Sequence, residues 1–246
     1  DVIDSLPCNN HEMALRGKEI WEKTVTKYLP EEGNDIKEEG VYIIIGGLGQ
    51  IGFLISKAYL KLGLKLVVIG RTDLFDKDKA KDRMIKFAEL KKLSRNIEYY
   101  CADADDYSCM SKCFSKISLK FGRINGIVYA AGQVNNCLIN NISRQIIEEQ
   151  FEAKCKGIEV LEELTKDIDL EFCLILTSIS AMLGGIGFFA YAAVNSYLDA
   201  FIKRHNHLYN DRWTSVLWDS SATDIETEKA FTMLAKNQNI NSIICT

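Results

Sequence analysis

The stretch from Val41 to Ile69 constrains the fold more than any other. Val41-Tyr42-Ile43-Ile44-Ile45 is a short apolar run rich in β-branched residues, and it ends in Gly46-Gly47-Leu48-Gly49-Gln50-Ile51-Gly52. Apolar residues at helical spacing follow from Phe53 to Leu62, and Gly63 closes that segment as a C-terminal cap. Leu66-Val67-Val68-Ile69 then reads as a second buried strand. Strand, glycine loop, helix and strand within about 30 residues is a unit that binds dinucleotides. One glycine permits the tight turn, one lets the backbone approach a pyrophosphate, and one lets the helix pack on the sheet. The helix N-terminus faces the phosphates with its partial positive charge.

The next residues bear on which nucleotide. NAD-binding units hold the ribose with a carboxylate at the end of the second strand, but here that place reads Gly70-Arg71-Thr72. Arg71 cannot accept from a hydroxyl, whereas its planar, permanently charged guanidinium can pair with a 2′-phosphate. NADPH is therefore expected over NADH, with Asp73 close enough to complicate the preference. Asp76 to Leu93 reads as a charged helix with Met84, Ile85, Phe87, Ala88 and Leu90 on its buried side. Ile97 to Cys101 reads as a third strand. At its end Asp103, next to Ala104, can accept from an adenine amino group, and Asp105 suits the N-cap of a helix running to Phe121. Ile127-Val128-Tyr129 is a fourth strand, closed by Ala130-Ala131-Gly132, whose small side chains let a nucleotide lie against the backbone.

Ile142 to Leu164 is a long helical region with a break at Gly157, and Leu170 to Thr177 a fifth, almost wholly apolar strand. A helix from Phe189 to Leu208 and a sixth strand from Trp213 to Trp218 follow, then a polar remainder with a short helix over Glu226–Lys236. Such alternation specifies an α/β fold: one doubly wound parallel sheet with helices on both faces. Residues 1–40 are polar, contain Pro7 and Pro30, and read as a linker or a poorly packed entry segment, with 41–246 as the nucleotide-binding domain. Because the sequence does not open with Met, it is expected to be a piece of a longer polypeptide.

The formal net charge of −4 offers no electrostatic case for nucleic acid or an anionic membrane. No apolar run approaches the roughly 20 residues of a membrane-crossing helix. The eight cysteines form no CxxC pair and have no histidine at zinc spacing, so no metal is expected and the thiols read as reduced, in a cytoplasmic protein. His205 and His207 follow Lys203-Arg204 and fit a solvated helix end.

The candidate chemistry lies between Lys154 and Asn195. Ser178 ends the fifth strand, Tyr191 comes thirteen residues later, Asn195 one helical turn after that, and Lys154 stands on the preceding helix. A hydroxyl, a phenol, an amide and an ammonium after a nucleotide loop are the parts of a proton-transfer site. A phenol with a reference pKa near 10 is a poor acid at neutral pH, and a nearby ammonium lowers it by favouring phenolate.

These residues resemble a short-chain dehydrogenase/reductase with a Rossmann fold. More narrowly, the chain is similar to the ketoreductase domain of modular polyketide synthases over about Val41 to Asp219. Leu176-Thr177-Ser178-Ile179-Ser180 and Tyr191-Ala192-Ala193-Val194-Asn195-Ser196-Tyr197-Leu198-Asp199-Ala200 resemble its motifs. Free-standing reductases of this superfamily generally have Lys four residues after the Tyr. Here Asn195 stands there and Lys154 lies upstream, the exchange typical of the synthase domains. The resemblance implies NADPH, and a ketone on an acyl chain tethered through phosphopantetheine to an acyl carrier protein, with neighbouring synthase domains on the same polypeptide. It assigns Ser178 to the carbonyl oxygen, Tyr191 to proton donation, and Lys154 and Asn195 to proton supply. It assigns Tyr191 and Lys154 to the nucleotide as well.

The chain departs from the family's pattern in four places. Ile45 replaces a Thr before the glycines, and Tyr129 stands where His is frequent. Val134, Asn135 and Asn136 occupy the places of a Leu-Asp-Asp marker of one alcohol configuration. Ile179 to Ala190 lacks the Trp that marks the other, so stereochemistry stays open. A free-standing carbonyl reductase and a non-catalytic scaffold that keeps the nucleotide fold are the competing readings.

Overall fold

The computed structural model describes residues 13–16, 19–22, 40–76, 80–209, 213–218 and 242–245. The chain divides into two compact units, residues 1–31 and 32–246. In the first, β1 (Met13–Arg16) and β2 (Glu19–Glu22) pair antiparallel, Met13 opposite Glu22 and Arg16 opposite Glu19. Pro7, Gly17 and Pro30 lie outside the described residues, as does the helix expected over Glu226–Lys236.

The second unit is built on β3 (Val41–Ile45). All five of its residues are buried. Side chains alternate across a strand, so Val41, Ile43 and Ile45 enter one apolar cluster and Tyr42 and Ile44 the other. A strand buried on both faces explains why its sequence is an unbroken apolar run rather than an alternating one. Each such aliphatic side chain contributes about 1.5–3 kcal/mol of burial. β3 pairs parallel with β4 (Lys65–Gly70) on one side and β6 (Gly126–Tyr129) on the other. The full sheet runs β5 (Ile97–Cys101), β4, β3, β6, β7 (Phe172–Ser178), β8 (Trp213–Trp218), β9 (Ser242–Cys245), every neighbouring pair parallel. β9 is a seventh strand inside the expected polar remainder.

Helices α1 (Gln50–Lys61) and α2 (Lys81–Leu93) supply one cluster, while α3 (Tyr107–Phe121), α5 (Gly157–Thr165) and α7 (Phe189–Tyr209) supply the other. The doubly wound parallel sheet with helices on both faces is thus the observed fold. The sheet order reverses around β3, and the glycine loop leaves at that point, where α/β proteins place their ligands.

Four details differ from expectation. α2 starts at Lys81, after Phe75 N and Asp76 N bond back to the Asp73 side chain and carbonyl. Of its five expected core residues only Leu90 is buried, and Ile85 is 60% exposed, because α2 covers the edge strand β5 rather than the sheet's centre. The N-cap of α3 is Asp106, whose carboxylate accepts from Cys109 N at 3.0 Å, so Asp105 is free of that role. His205 is buried: the helical repeat that buries Val194, Leu198, Phe201 and Ile202 reaches it too, and its ring lies 4.2 Å from that of Trp213 with Nδ1 2.7 Å from Glu162 Oε1. His207 is exposed as expected.

The helix around Lys154 is the fourth. No break occurs at Gly157. Instead α4 (Arg144–Phe151) widens into a π turn over Glu152–Lys156, and α5 continues from Gly157. A π turn is rare and is found disproportionately at functional sites.

Candidate active site

The nucleotide end forms where β3 stops. Gly46 has φ +83°, a conformation that disfavours any residue with a Cβ. A Cβ there would also stand 2.8 Å from the Ala130 carbonyl carbon and the Ala131 nitrogen. The loop and the end of β6 therefore touch backbone to backbone. α1 begins at Gln50 with no acidic residue in its first turn, leaving the N-terminal field to an anion. Ser56 Oγ donates to Gly47 O at 3.1 Å and ties the loop to the helix.

Gly46, Leu48 and Gly49 form one wall of a cavity at the carboxyl ends of the strands. Ala130, Ala131 and Gly132 form the second wall, and Arg71, Thr72, Asp103 and Ala104 the far end. Gly47, Gln50, Ile51 and Gly52 do not line it; Gly47 and Gly52 are buried in the turn and the start of α1, and Gln50 is exposed. Burial, then the charge of Asp105, hold the Asp103 carboxyl above its ordinary value, while the Arg71 guanidinium pulls it down.

Arg83 and Tyr99 are among the lining residues that escaped the sequence reading. Arg83, on α2, faces the same end of the cavity as Arg71; only its helical distance from the strand end hints at this. Tyr99 Oη lies 2.9 Å from Gly70 O and 2.6 Å from Thr72 O, donating between them and pinning the segment that presents Arg71. Burial pushes the Tyr99 phenol up to about 12. A shape-matched glycine turn, a helix N-terminus and two guanidiniums at the far end fit a dinucleotide carrying a further phosphate.

The second half of the site lies at the exit of β7. Ser178 ends that strand, and Ser180 donates to its Oγ through both N–H (3.2 Å) and hydroxyl (2.9 Å). Ser180 is the first residue of the short helix α6 (Ser180–Leu183) and was not singled out in the sequence. Tyr191 and Asn195 sit one turn apart on α7. Lys154 Nζ donates to Asn195 Oδ1 at 2.7 Å, and Asn195 Nδ2 donates to the Tyr191 carbonyl at 2.7 Å. Nζ also lies 5.2 Å from the centre of the Tyr191 ring. The four residues separated by up to 41 positions in sequence are therefore brought together.

Lys154 is 4% exposed and Asn195 fully buried. Burial lowers the Lys154 ammonium to about 8. Burial also raises the Tyr191 phenol above its ordinary value, opposed by the Ser178 hydroxyl and the Asn195 side chain. The expected lowering by Lys154 is not found: loss of water around the ring raises the phenol, and only Ser178 and Asn195 oppose it.

Two loops frame this half. Gln150, 1% exposed on α4, donates to Gln133 O at 2.8 Å and accepts from Asn135 N at 3.2 Å, clamping the segment after Gly132. Cys137 N donates to Gly187 O at 2.9 Å and joins that segment to the loop before α7. Val134, Leu138, Leu183, Ile186 and Phe189 are exposed apolar residues of these two loops and their flanks. Phe188 packs on Tyr191 with ring centres 5.9 Å apart.

Comparison with known proteins follows the same lines. A family model described as KR domain matches residues 40–222. Polyketide synthase PksM of Bacillus subtilis (strain 168) is 32% identical over 191 residues, 77% of this chain and 4% of that protein. Polyketide synthase PksN of the same organism is 30% identical over 213 residues, 81% of this chain and 4% of that protein. The chain thus spans a small fraction of the length of the curated relatives it matches. Among solved structures, the ketoreductase PlmKR1 from the first module of phoslactomycin biosynthesis in Streptomyces sp. HK803 superposes with a TM-score of 0.81. It is 21% identical, over 94% of this chain and 58% of that one, a likeness that speaks to fold. Among the described residues no helix is long and apolar enough to cross a membrane. With the family match covering most of the chain and relatives at this identity, the chain belongs to the KR domain family, the short-chain dehydrogenase/reductase-type ketoreductases of modular polyketide synthases.

Proposed function

We propose that residues 41–246 reduce a ketone on an acyl thioester presented by a carrier protein, with NADPH as the nicotinamide cofactor and Tyr191 as proton donor. The observation that carries this reading is the Lys154–Asn195–Tyr191 line beside Ser178, at the same end of the sheet as the nucleotide cavity. Bound NADPH supplies the hydride to the carbonyl carbon. The chain's own residues then handle the oxygen.

Ser178 Oγ accepts twice from Ser180, so both its acceptor positions are taken and its own proton is left to donate. That proton can point at the carbonyl oxygen, where negative charge develops. Tyr191 adds a second donor. Its raised pKa keeps the phenol protonated at neutral pH, which is the state reduction requires. As the carbon–hydrogen bond forms, the phenolic proton passes to the alkoxide and an alcohol results. The phenolate left behind lies next to the Lys154 ammonium, and Asn195 fixes that ammonium in place until a proton returns. The apolar residues of the two framing loops suit an acyl chain. Residues 1–40 serve as the join to a preceding half, neighbouring synthase domains lie on the same polypeptide, and an acyl carrier protein presents the substrate through phosphopantetheine. The reduced thiols at Cys101, Cys109, Cys113, Cys137 and Cys155 suit a cytoplasmic setting.

The test is turnover. The protein is mixed with NADPH and a soluble β-ketoacyl thioester, and nicotinamide absorbance is followed. Nucleotide binding without turnover across a range of chain lengths would overturn the reading.

Arg71 and Arg83 make the cofactor choice testable. Charge-assisted hydrogen bonds contribute about 1.5–3 kcal/mol, so Arg71→Ala should raise the KM for NADPH about ten- to hundredfold. The KM for NADH should change by less than about threefold, since NADH offers no 2′-phosphate to that guanidinium. Equal effects on both would refute the role.

A further inference from the structure

The π turn that carries Lys154 ends at Gly157, and the phenol of Tyr129 lies directly against that glycine. A Cβ on Gly157 would overlap Tyr129 Oη and stand 3.1 Å from Cζ. Tyr129 is 1% exposed, and its buried hydroxyl makes no hydrogen bond, with Asp105, Asp103 and Cys155 near enough to raise its pKa after burial has done so. Leaving a buried hydroxyl without a partner costs stability. Its fit into the notch at Gly157 is a feature that an unadorned ring would not reproduce.

Tyr129 has no room to withdraw. β6 is a central strand, with Tyr129 opposite Ile45 on one side and Ile175 on the other. Directly after it, Ala130 N donates to Ile45 O at 2.8 Å. On the helix side, Gly157 N–H donates to the Lys154 carbonyl, so the residue touched by the phenol is bonded to the residue carrying the amine. The same strand exit limits the lysine side chain: a Cβ on Gly132 would come within 2.6 Å of Lys154 Cε.

We propose that Tyr129 is a positioning residue: its phenol, seated against Gly157, sets the height of the π turn above the sheet and hence the reach of Lys154 Nζ to Asn195 Oδ1. This rests on the reading of Lys154 as the group that serves Tyr191. Contact alone couples the stability effects of removing the phenol and adding a methyl at Gly157, so a phenol that only filled space would leave kcat and the Lys154 titration unmoved. If it acts as a stop, the two changes are coupled in those readouts too, because Phe at position 129 removes the overlapping atom and leaves only the closer fit to Cζ.

A double-mutant cycle decides between them. Gly157→Ala should lower kcat for the ketoacyl thioester by about tenfold or more in the natural background, and by less than about threefold in a Tyr129→Phe background. A second readout needs no turnover. In protein labelled with 13C at lysine Cε, the Lys154 resonance, assigned through Lys154→Met, should titrate near 8 in the natural chain. In Gly157→Ala it should move towards the ordinary lysine value as the ammonium gains water, and in the double variant it should return. A Gly157→Ala protein with unchanged rate and unchanged Lys154 titration would overturn the proposal. So would a double variant that recovers neither. If no protein in the set turns over, natural chain included, the ketone-reduction reading falls, and the lysine titration still decides the role of Tyr129. Should Gly157→Ala fail to fold, Tyr129→Leu carries the test: removing the stop must move the Lys154 titration, and a folded variant with the natural titration refutes the idea.

Discussion

Tyr191→Phe should lower turnover by about 10²–10⁴-fold, the range for loss of a positioned general acid, while nucleotide affinity and melting temperature stay close to those of the natural chain. The separation follows from how the neighbours are held. Asn195 Nδ2 bonds to the Tyr191 backbone carbonyl, so the Lys154–Asn195 pair keeps that support when only the hydroxyl is removed. The ring still packs on Phe188. What disappears is the one donor that can give its proton to the alkoxide. Ser178 retains its own hydrogen bonds from Ser180 and can still polarise the carbonyl, which leaves residual rate above the uncatalysed reaction. Stopped assays with the β-ketoacyl thioester, a fluorescence titration with NADPH and a thermal melt separate these effects. Full turnover in Tyr191→Phe would mean that the proton comes from another group.

Gly52→Ala should be as damaging for a different reason. A Cβ at that position would overlap the carbonyl oxygen of Gly46 and lie 2.9 Å from its carbonyl carbon and from Gly47 Cα. Backbone atoms cannot rotate away as a side chain can. Gly46 is itself immobilised, with its N–H donating to Ile69 O at 2.7 Å and its Cα pressed on the end of β6. The strain must therefore be relieved by shifting α1 away from the loop. Overpacking of this kind costs about 1–3 kcal/mol of stability, and it withdraws the helix N-terminus from the phosphates. NADPH affinity should fall by about a hundredfold or more, as two or more hydrogen bonds to charged oxygens at about 1.5–3 kcal/mol each are lost. Calorimetric titration and a denaturant melt read both losses. Unaltered affinity would show that the phosphates do not rest on this turn.

The parts that could be read in advance are those that local chemistry dictates. Ile43 and its neighbours read as a buried strand because the apolar run is short, rich in β-branched residues and closed by a glycine turn. The exchange of Lys154 and Asn195 is legible only against the pattern of the family that the chain resembles, and their 2.7 Å hydrogen bond brings the two positions together. The parts that escaped depend on neighbours distant in sequence. Whether Ile85 is buried depends on how much sheet lies beneath α2, and an edge strand offers little. Whether His205 is buried depends on Trp213 standing under the last turns of α7. β9 is four residues long, and its strand character comes from pairing with β8. The π turn has no periodicity that betrays it over five residues. Arg83 and Ser180 carry common side chains at unremarkable places, and only the shared cavity and the shared oxygen give them meaning.

The Gln150 amide has a consequence for precision. Gln150 and Lys154 stand four residues apart on one continuous helix, the first gripping the segment that follows Gly132, the second reaching to Asn195. The lysine and the loop bearing Val134, Asn135 and Asn136 are therefore referenced to the same rigid body. When thermal motion displaces the helix, the lysine amine and that loop shift together, and their separation varies less than either position does. Errors that are correlated cancel in a difference. A substrate resting on that loop keeps its register with the amine even while both move relative to the sheet.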